Sequence, residues 1–327
     1  MSMFRPDKFL FIFTLLSGTL IAISSPSWFI RWVGLELNLL SFIPFIFSEK
    51  NLYSSERSLK YFLIQAIGSI VLLIRATSAT LIENLPEKGI LLGLFLKIGA
   101  APLHFWLPTI IQGLSWGRCL TLITVQKIAP IVITLYTISP STKPIWIGAS
   151  LISAILGGMG GLNQTFIRKI LAYSSISHIG WILAAIYMDV NNWRLYFVVY
   201  SFTSLTLIIV LHSAQIYHTN QLYSLTSNPI VIVILFITLF SLGGLPPLLG
   251  FLPKIRVVIN ITMYSSTVWS FILVIRSLIT LYFYTRLLTA CFTLKTPKLA
   301  ISTTKLDLIT AILSSLNLLL LFFPLYF

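Results

Sequence analysis

Apolar stretches about as long as a bilayer is thick follow one another along this chain almost without pause. A helix that crosses the hydrocarbon core needs about 20 mostly apolar residues. About eleven such stretches are predicted, at roughly 8–25, 28–47, 59–82, 89–112, 115–138, 144–163, 169–188, 194–213, 229–249, 266–290 and 306–326. Short polar or Gly/Pro-bearing breaks separate them, such as SEKNLYSSERSLK, ENLPEKG and SPSTKP. Charged residues make up 9% of the chain, against about 25% in a soluble domain that must cover itself with a polar surface. The expected fold is therefore an all-α polytopic membrane protein, with no soluble domain between its spans. The stretch GFLPKIRVVINIT, near 250–262, is too short to span again and reads as the bent second half of the ninth helix.

The net charge of +14 would suggest nucleic acid in a soluble protein, but basic loops in a membrane protein set orientation and meet anionic lipid heads. Arg5, Lys8, Lys50, Arg57, Lys60, Arg118, Arg168, Lys169, Lys295, Lys298 and Lys305 fall on the N-terminal side. The other side holds Lys88, Lys143 and Arg194, with Lys254 and Arg256 if these are loop residues. The N-terminus is expected inside, and an odd number of spans puts the C-terminus outside. The N-terminal apolar helix carries no small-residue cleavage site and no import-peptide character, so it is expected to be retained. Cys119 and Cys291 lie in apolar segments, and the four histidines are scattered. No disulfide framework, metal site or redox cofactor is expected from them.

Span four contains Gly99-Ala-Ala-Pro102-Leu-His-Phe-Trp-Leu-Pro108, and span nine contains Gly244-Leu-Pro-Pro247-Leu-Leu-Gly-Phe-Leu-Pro253. Both read G-x-x-P-x5-P, five spans apart. An odd shift reverses direction through the membrane, so the echo predicts inverted repeats, residues 1–140 and 141–292, followed by a C-terminal loop and helix over 293–327. Helix breaks are expected near Pro102, Pro130 and Pro247, because proline removes a backbone donor and leaves the carbonyl four residues earlier without its partner.

A charge at the centre of a membrane helix costs about 2.5–3.5 kcal/mol on insertion scales. Glu36 sits mid-span in WVGLELN, Lys97 in FLKIGAAP and Lys127 in VQKIAP, and Lys254 follows the second G-x-x-P motif. Carbonyls freed beside Lys97 and Lys127 predict a hydrated cavity inside the protein. There a desolvated amine favours its neutral form and a nearby carboxylate favours the charged form, which together make a proton site that can be switched. The bland alternative is an ion pair between helices that only fixes packing, or, for Lys254, a side chain snorkelling to the interface. His178, after Ser174, Ser175 and Ser177, and His104, beyond Pro102, are further candidates for a proton path. Both also fit plain helix packing or an interfacial position. Arg75 and Arg276 fall inside predicted spans three and ten, where each could pair with a carbonyl, a carboxylate or a lipid head, and the Gly157-Gly158-Met159-Gly160-Gly161 run reads as close helix packing rather than a phosphate loop.

Taken in order, GLELNLLSFIP, KIGAAPLHFWLP, VQKIAP, GGLNQTFIRKILAYSSISHIGW and SLGGLPPLLGFLPK resemble the antiporter-like subunits of respiratory complex I, in the chain 2 family of mitochondrial NADH:ubiquinone oxidoreductase. The likeness runs over nearly the whole chain, and the span number matches the shortened animal form. It implies a proton-translocating subunit of the membrane arm, in the mitochondrial inner membrane, with the N-terminus in the matrix and the C-terminus in the intermembrane space. It makes Glu36 the carboxylate that modulates Lys97, Lys127 the central link of a mid-membrane axis, Lys254 its exit-side lysine, and His178 part of the axis lining. It further implies that the chain binds no cofactor, while NADH, FMN, iron–sulfur clusters and ubiquinone belong elsewhere in the complex. The implied partners are other membrane-arm subunits, including neighbouring antiporter-like ones, and phospholipids such as cardiolipin. Thr109 and Ile255 depart from residues common in relatives, and Arg75 and Arg276 match no charged family position. A stand-alone cation/proton antiporter, or an electrostatic connector without net transport, are the alternative readings.

Overall fold

The computed structural model describes residues 6–47, 52–78, 86–222, 229–264 and 267–293. The predicted span at 306–326 lies outside the described residues, as do the loop positions Arg5, Lys50, Lys295, Lys298 and Lys305. Described elements are helices: α1 (Pro6–Ser24), α2 (Trp28–Phe47), α3 (Leu52–Ser78), α4 (Pro86–Ile98), α5 (Trp106–Ile111), α6 (Trp116–Ile123) and α7 (Val125–Thr134), which ends in a 3-10 turn, Leu135–Thr137. They continue as α8 (Lys143–Leu162), α9 (Ile167–Met188), α10 (Val190–Ser213), α11 (Pro229–Gly243), α12 (Phe251–Tyr264) and α13 (Thr267–Thr293). Seven helical stretches among them are long and apolar enough to cross a membrane. Large apolar side chains such as Phe9, Phe13, Leu63, Met263 and Phe271 are exposed on the surface, the arrangement expected where lipid replaces water as solvent.

The chain divides into two compact units, Met1–Ala149 and Ser150–Phe327, with the division inside α8. In the first unit α1 packs on α2, α2 on α3, α3 on α4 and α4 on α7. Small residues let the α1 and α2 backbones touch: a Cβ on Gly34 would lie 2.5 Å from the Ala22 nitrogen, and one on Gly18 would lie 2.8 Å from the Asn38 nitrogen. Ala22, Leu35, Leu72, Ile90, Leu94, Ala129 and Ile133 form a buried apolar cluster beside Trp28 and Trp32.

In the second unit α9 is the central helix, almost wholly buried, with α10, α12 and α13 against it. The glycine run of α8 packs closely, as read from the sequence. A Cβ on Gly157 would meet the Ser177 backbone at 2.4 Å, and one on Gly160 would meet the Tyr173 ring at 2.3 Å. Arg286 of α13 bonds the carbonyls of Leu162 and, at 2.9 Å, Gln164, and so closes the end of α8.

One sequence expectation changes here. Pro130 lies inside α7 and does not end it. The interruption of that span is at Thr124, between α6 and α7, where φ is −110° and ψ is −74°. Proline's missing donor and bulky ring disturb the turn before it, so the distortion falls upstream of the ring. Arg75 lies inside the span Ser55–Ser78, as expected, in the last turn of α3, exposed, with its stem across Gly89. There its charge complements the negative end of the helix. Arg276 is half-buried within α13, and nothing in the structure explains it.

Candidate functional site

Both G-x-x-P motifs end a helix by the same means. Gly99 and Gly244 have φ of +78° and +80°, the left-handed region that glycine enters without a Cβ penalty. At the first, Gly99 N–H bonds the Leu96 carbonyl (3.3 Å) and Ala100 N–H bonds Phe95 (2.9 Å). At the second, Gly244 N–H bonds Ser241 (3.1 Å) and Leu245 N–H bonds Phe240 (3.3 Å). This is the Schellman pattern of a glycine-stopped helix. Pro102 and Pro247 lie inside the breaks, 99–105 and 244–250, but glycine stops each helix first. The carbonyl beside Lys97 is therefore orphaned by the helix end and not by Pro102.

Carbonyls at the two helix ends also accept from side chains, and differently in each unit. At the end of α4, Trp106 Nε1 donates to the Leu96 carbonyl (3.1 Å) and Gln65 Nε2 to that of Lys97 (3.3 Å). At the end of α11, Lys254 Nζ donates to the carbonyls of Leu242 (3.2 Å) and Gly243 (2.7 Å). Lys254 is buried and its ammonium lies 5.9 Å from the Trp181 ring centroid, so it does not snorkel to an interface.

With its helix end closed by other groups, Lys97 lines an internal cavity of about 20 Å³. Lys127, Asn38, Tyr61, Gln65, Trp106 and Gln126 line the same cavity, from α2, α3, α5 and α7. Lys97 is 5% and Lys127 2% exposed, so neither faces lipid. A cavity needs about 10–15 Å³ on this measure, with polar partners, to hold a water. The Tyr61 hydroxyl donates to Oε1 of Gln126 (3.2 Å), and Nε2 of Gln126 donates to Oδ1 of Asn38 (2.9 Å). Tyr61 is itself held between Phe42 and Trp106, with ring centroids 5.2 and 6.0 Å away. Glu36 is half-buried on α2 and makes no ion pair with Lys97 inside 4.0 Å.

In the second unit His178 Nδ1 and the Tyr196 hydroxyl share a hydrogen bond of 2.9 Å, and the imidazole stacks on Tyr200 at 4.7 Å. These three border a cavity of about 10 Å³ with Ser241, Leu242 and Pro253. His104 is buried in the first break, where Nδ1 lies 3.3 Å from the Pro102 carbonyl, and it does not line the cavity of Lys97 and Lys127. Thr109, on α5, is exposed. Among the described residues no group of three or more His, Cys, Asp and Glu side chains could hold a metal ion.

The sequence reading missed Asn38, Tyr61, Gln65 and Gln126. Uncharged polar side chains at membrane depth were the available signal, and three of these four lie within two residues of a charge or an interface. It also missed Arg31, which is buried, bonds the Ser25 carbonyl through Nε (3.0 Å) and lies 3.8 Å from the Tyr136 ring centroid.

Residues 75–280 match the family described as NADH:quinone oxidoreductase/Mrp antiporter, TM. NADH-ubiquinone oxidoreductase chain 2 of Anopheles gambiae is 44% identical over 299 residues, covering 88% of this chain and 87% of its own length. The protein of the same name from Oryctolagus cuniculus is 39% identical over 289 residues, covering 85% and 83%. The chain belongs to the NADH-ubiquinone oxidoreductase chain 2 family. A chain of respiratory complex I from Thermus thermophilus, solved with bound aureothin, shares the chain 2 fold with a TM-score of 0.86 at 23% identity, over 97% of this chain and 78% of that one. A chain of the Mrp complex from Dietzia sp. gives 0.78 at 18% identity, over 90% and 62%. The antiporter fold is thus common to this chain 2 family member and to both assemblies.

Proposed function

We propose that the chain is a proton-translocating, antiporter-like subunit in the membrane arm of respiratory complex I, and so part of an enzyme whose redox chemistry lies in other subunits. NADH, FMN, iron–sulfur clusters and ubiquinone belong to those subunits, and this chain contributes buried titratable groups. The observation that carries the reading is the pair Lys97 and Lys127 on one polar cavity with room for water. Two amines cut off from lipid have a reason to persist at membrane depth if they exchange protons through that water. Glu36 modulates Lys97 through its charge. His178 and Lys254 continue the path in the second unit, which is proposed to be an inverted copy of the first. The shared glycine-stopped helix ends support that relation.

Lys254 also has a second role: its ammonium bonds two carbonyls at the end of α11, so it holds the break together whether or not it carries protons. Neighbouring antiporter-like subunits are proposed as partners, and anionic phospholipids such as cardiolipin at the basic loops. The chain is proposed to lie in the mitochondrial inner membrane, as its family implies, and the distribution of Lys and Arg supports an N-terminus on the matrix side. Within the assembled complex, Glu36→Gln and Lys97→Met are expected to lower coupled quinone reduction several-fold while assembly is kept. Full coupled activity in both variants would refute the proton path through the first unit.

A further inference from the structure

The wall of the cavity lined by Lys97 and Lys127 also carries an amide whose two ends are both engaged. Gln126 takes a hydrogen bond from Tyr61 at Oε1 and gives one to Asn38 at Nε2. The phenol donates to the amide oxygen and the Asn38 oxygen accepts from the amide nitrogen, so the network occupies both ends of the Gln126 amide. A primary amide neither binds nor releases a proton in the physiological range, so it cannot stand in for a relay group. The other polar side chains on the wall are Asn38, Gln65, Trp106 and Tyr61, and of these only the Tyr61 phenol is ionisable, with an ordinary value near 10. The cavity has room for about one water on the measure by which a water needs about 10–15 Å³.

We infer that Gln126 is a positioning residue for proton exchange in the first unit: locked between Tyr61 and Asn38, it holds open and orients a water between Lys97 and Lys127 without offering that water a competing proton acceptor. The inference rests on the proton path proposed above. In the step it serves, the water accepts a proton from one ammonium and passes one of its own to the neutral amine of the other, so charge moves by one and no group is consumed. The backbone supports the placement. The span yields at Thr124 and restarts at Val125, which puts Gln126 and Lys127 side by side at the start of α7.

Gln126→Glu is nearly isosteric and turns the neutral wall into a carboxylate. An anion here pairs with a lysine and must release it before each transfer, and losing one such charge-assisted bond slows a step by about tenfold or more. The protonated acid, by contrast, resembles the amide. Within the assembled complex, coupled turnover of Gln126→Glu is therefore expected to fall about tenfold at alkaline pH and to recover as the pH is lowered. Gln126→Met is expected to lose turnover equally at all pH values. A merely structural role would give both variants the same pH profile, and an unchanged profile for Gln126→Glu overturns the inference. Should neither variant assemble, Tyr61→Phe keeps the ring between Phe42 and Trp106 and removes only the hydroxyl that locks the amide. It is expected to lower protons moved per electron, and an unaltered ratio also overturns the inference. Lys127→Met, measured alongside, separates the two levels: normal pumping there refutes the proton path itself, whereas lost pumping there with normal Gln126→Glu refutes only the role of Gln126.

Discussion

Replacing Lys254 by methionine removes an ammonium that donates to two carbonyls at the end of α11, at 3.2 and 2.7 Å. Both acceptors are then left at a helix end inside the protein, where methionine offers no donor. Each buried group that loses its partner costs about 1–3 kcal/mol, so the variant is expected to lose roughly 2–6 kcal/mol, less whatever a water entering beside Trp181 restores. Lys97→Met provides the contrast. Carbonyls at the end of α4, those of Leu96 and Lys97, are bonded by Trp106 and Gln65, and both bonds survive the substitution. Removing that lysine even relieves the cost of a desolvated charge. The two variants should therefore separate in stability although both remove the same type of group, a buried lysine near a helix break. Thermal unfolding of the purified complex, followed by loss of this chain from the assembly, should show Lys254→Met clearly less stable than Lys97→Met. Equal stability, or the reverse order, would refute the claim that Lys254 closes the end of α11.

Other substitutions test the packing that positions the site. Trp106→Phe keeps most of the ring but loses the indole donor to the Leu96 carbonyl. That carbonyl still accepts from Gly99, so a cost of about 1 kcal/mol is expected in the same unfolding assay. Gly180→Val would place Cβ 2.7 Å from the Ser150 carbonyl oxygen and 2.9 Å from the Ala154 nitrogen. Backbone cannot give way as a side chain can, so the cost is about 1–3 kcal/mol or more. The chain is expected to be largely absent from the assembled complex on a native gel.

The fold was legible because two strong signals agreed. Span length and the Gly/Pro breaks placed most helices to within a few residues, though α3 starts seven residues before the expected 59, and the repeated G-x-x-P motif located both interruptions, at 99–105 and 244–250. What was misread was the cause. Proline drew attention, but the left-handed glycines end the helices, and at Pro130 the helix runs on while the break falls at Thr124. A proline's effect is spread over the turn before it and depends on what packs there, which no residue count shows. Lys97 and Lys127 were legible as a candidate site because a charge at membrane depth is costly wherever it lies. The Tyr61–Gln126–Asn38 network was not, since it joins α2, α3 and α7 through residues far apart in sequence that become neighbours only when those helices pack. For the same reason the partners of Lys254 were hidden: an interfacial lysine and a helix-closing lysine look alike until the break is folded.

The central claim is that Lys127 passes protons and does not merely fix packing. Its most direct test is the number of protons moved per electron when the assembled complex carrying Lys127→Met oxidises NADH in sealed vesicles. A proton-carrying Lys127 predicts a lowered ratio, or strongly slowed coupled quinone reduction, in a complex of normal composition. An unchanged ratio at normal turnover would show that the lysine is structural and that protons do not pass through the cavity of Lys97 and Lys127.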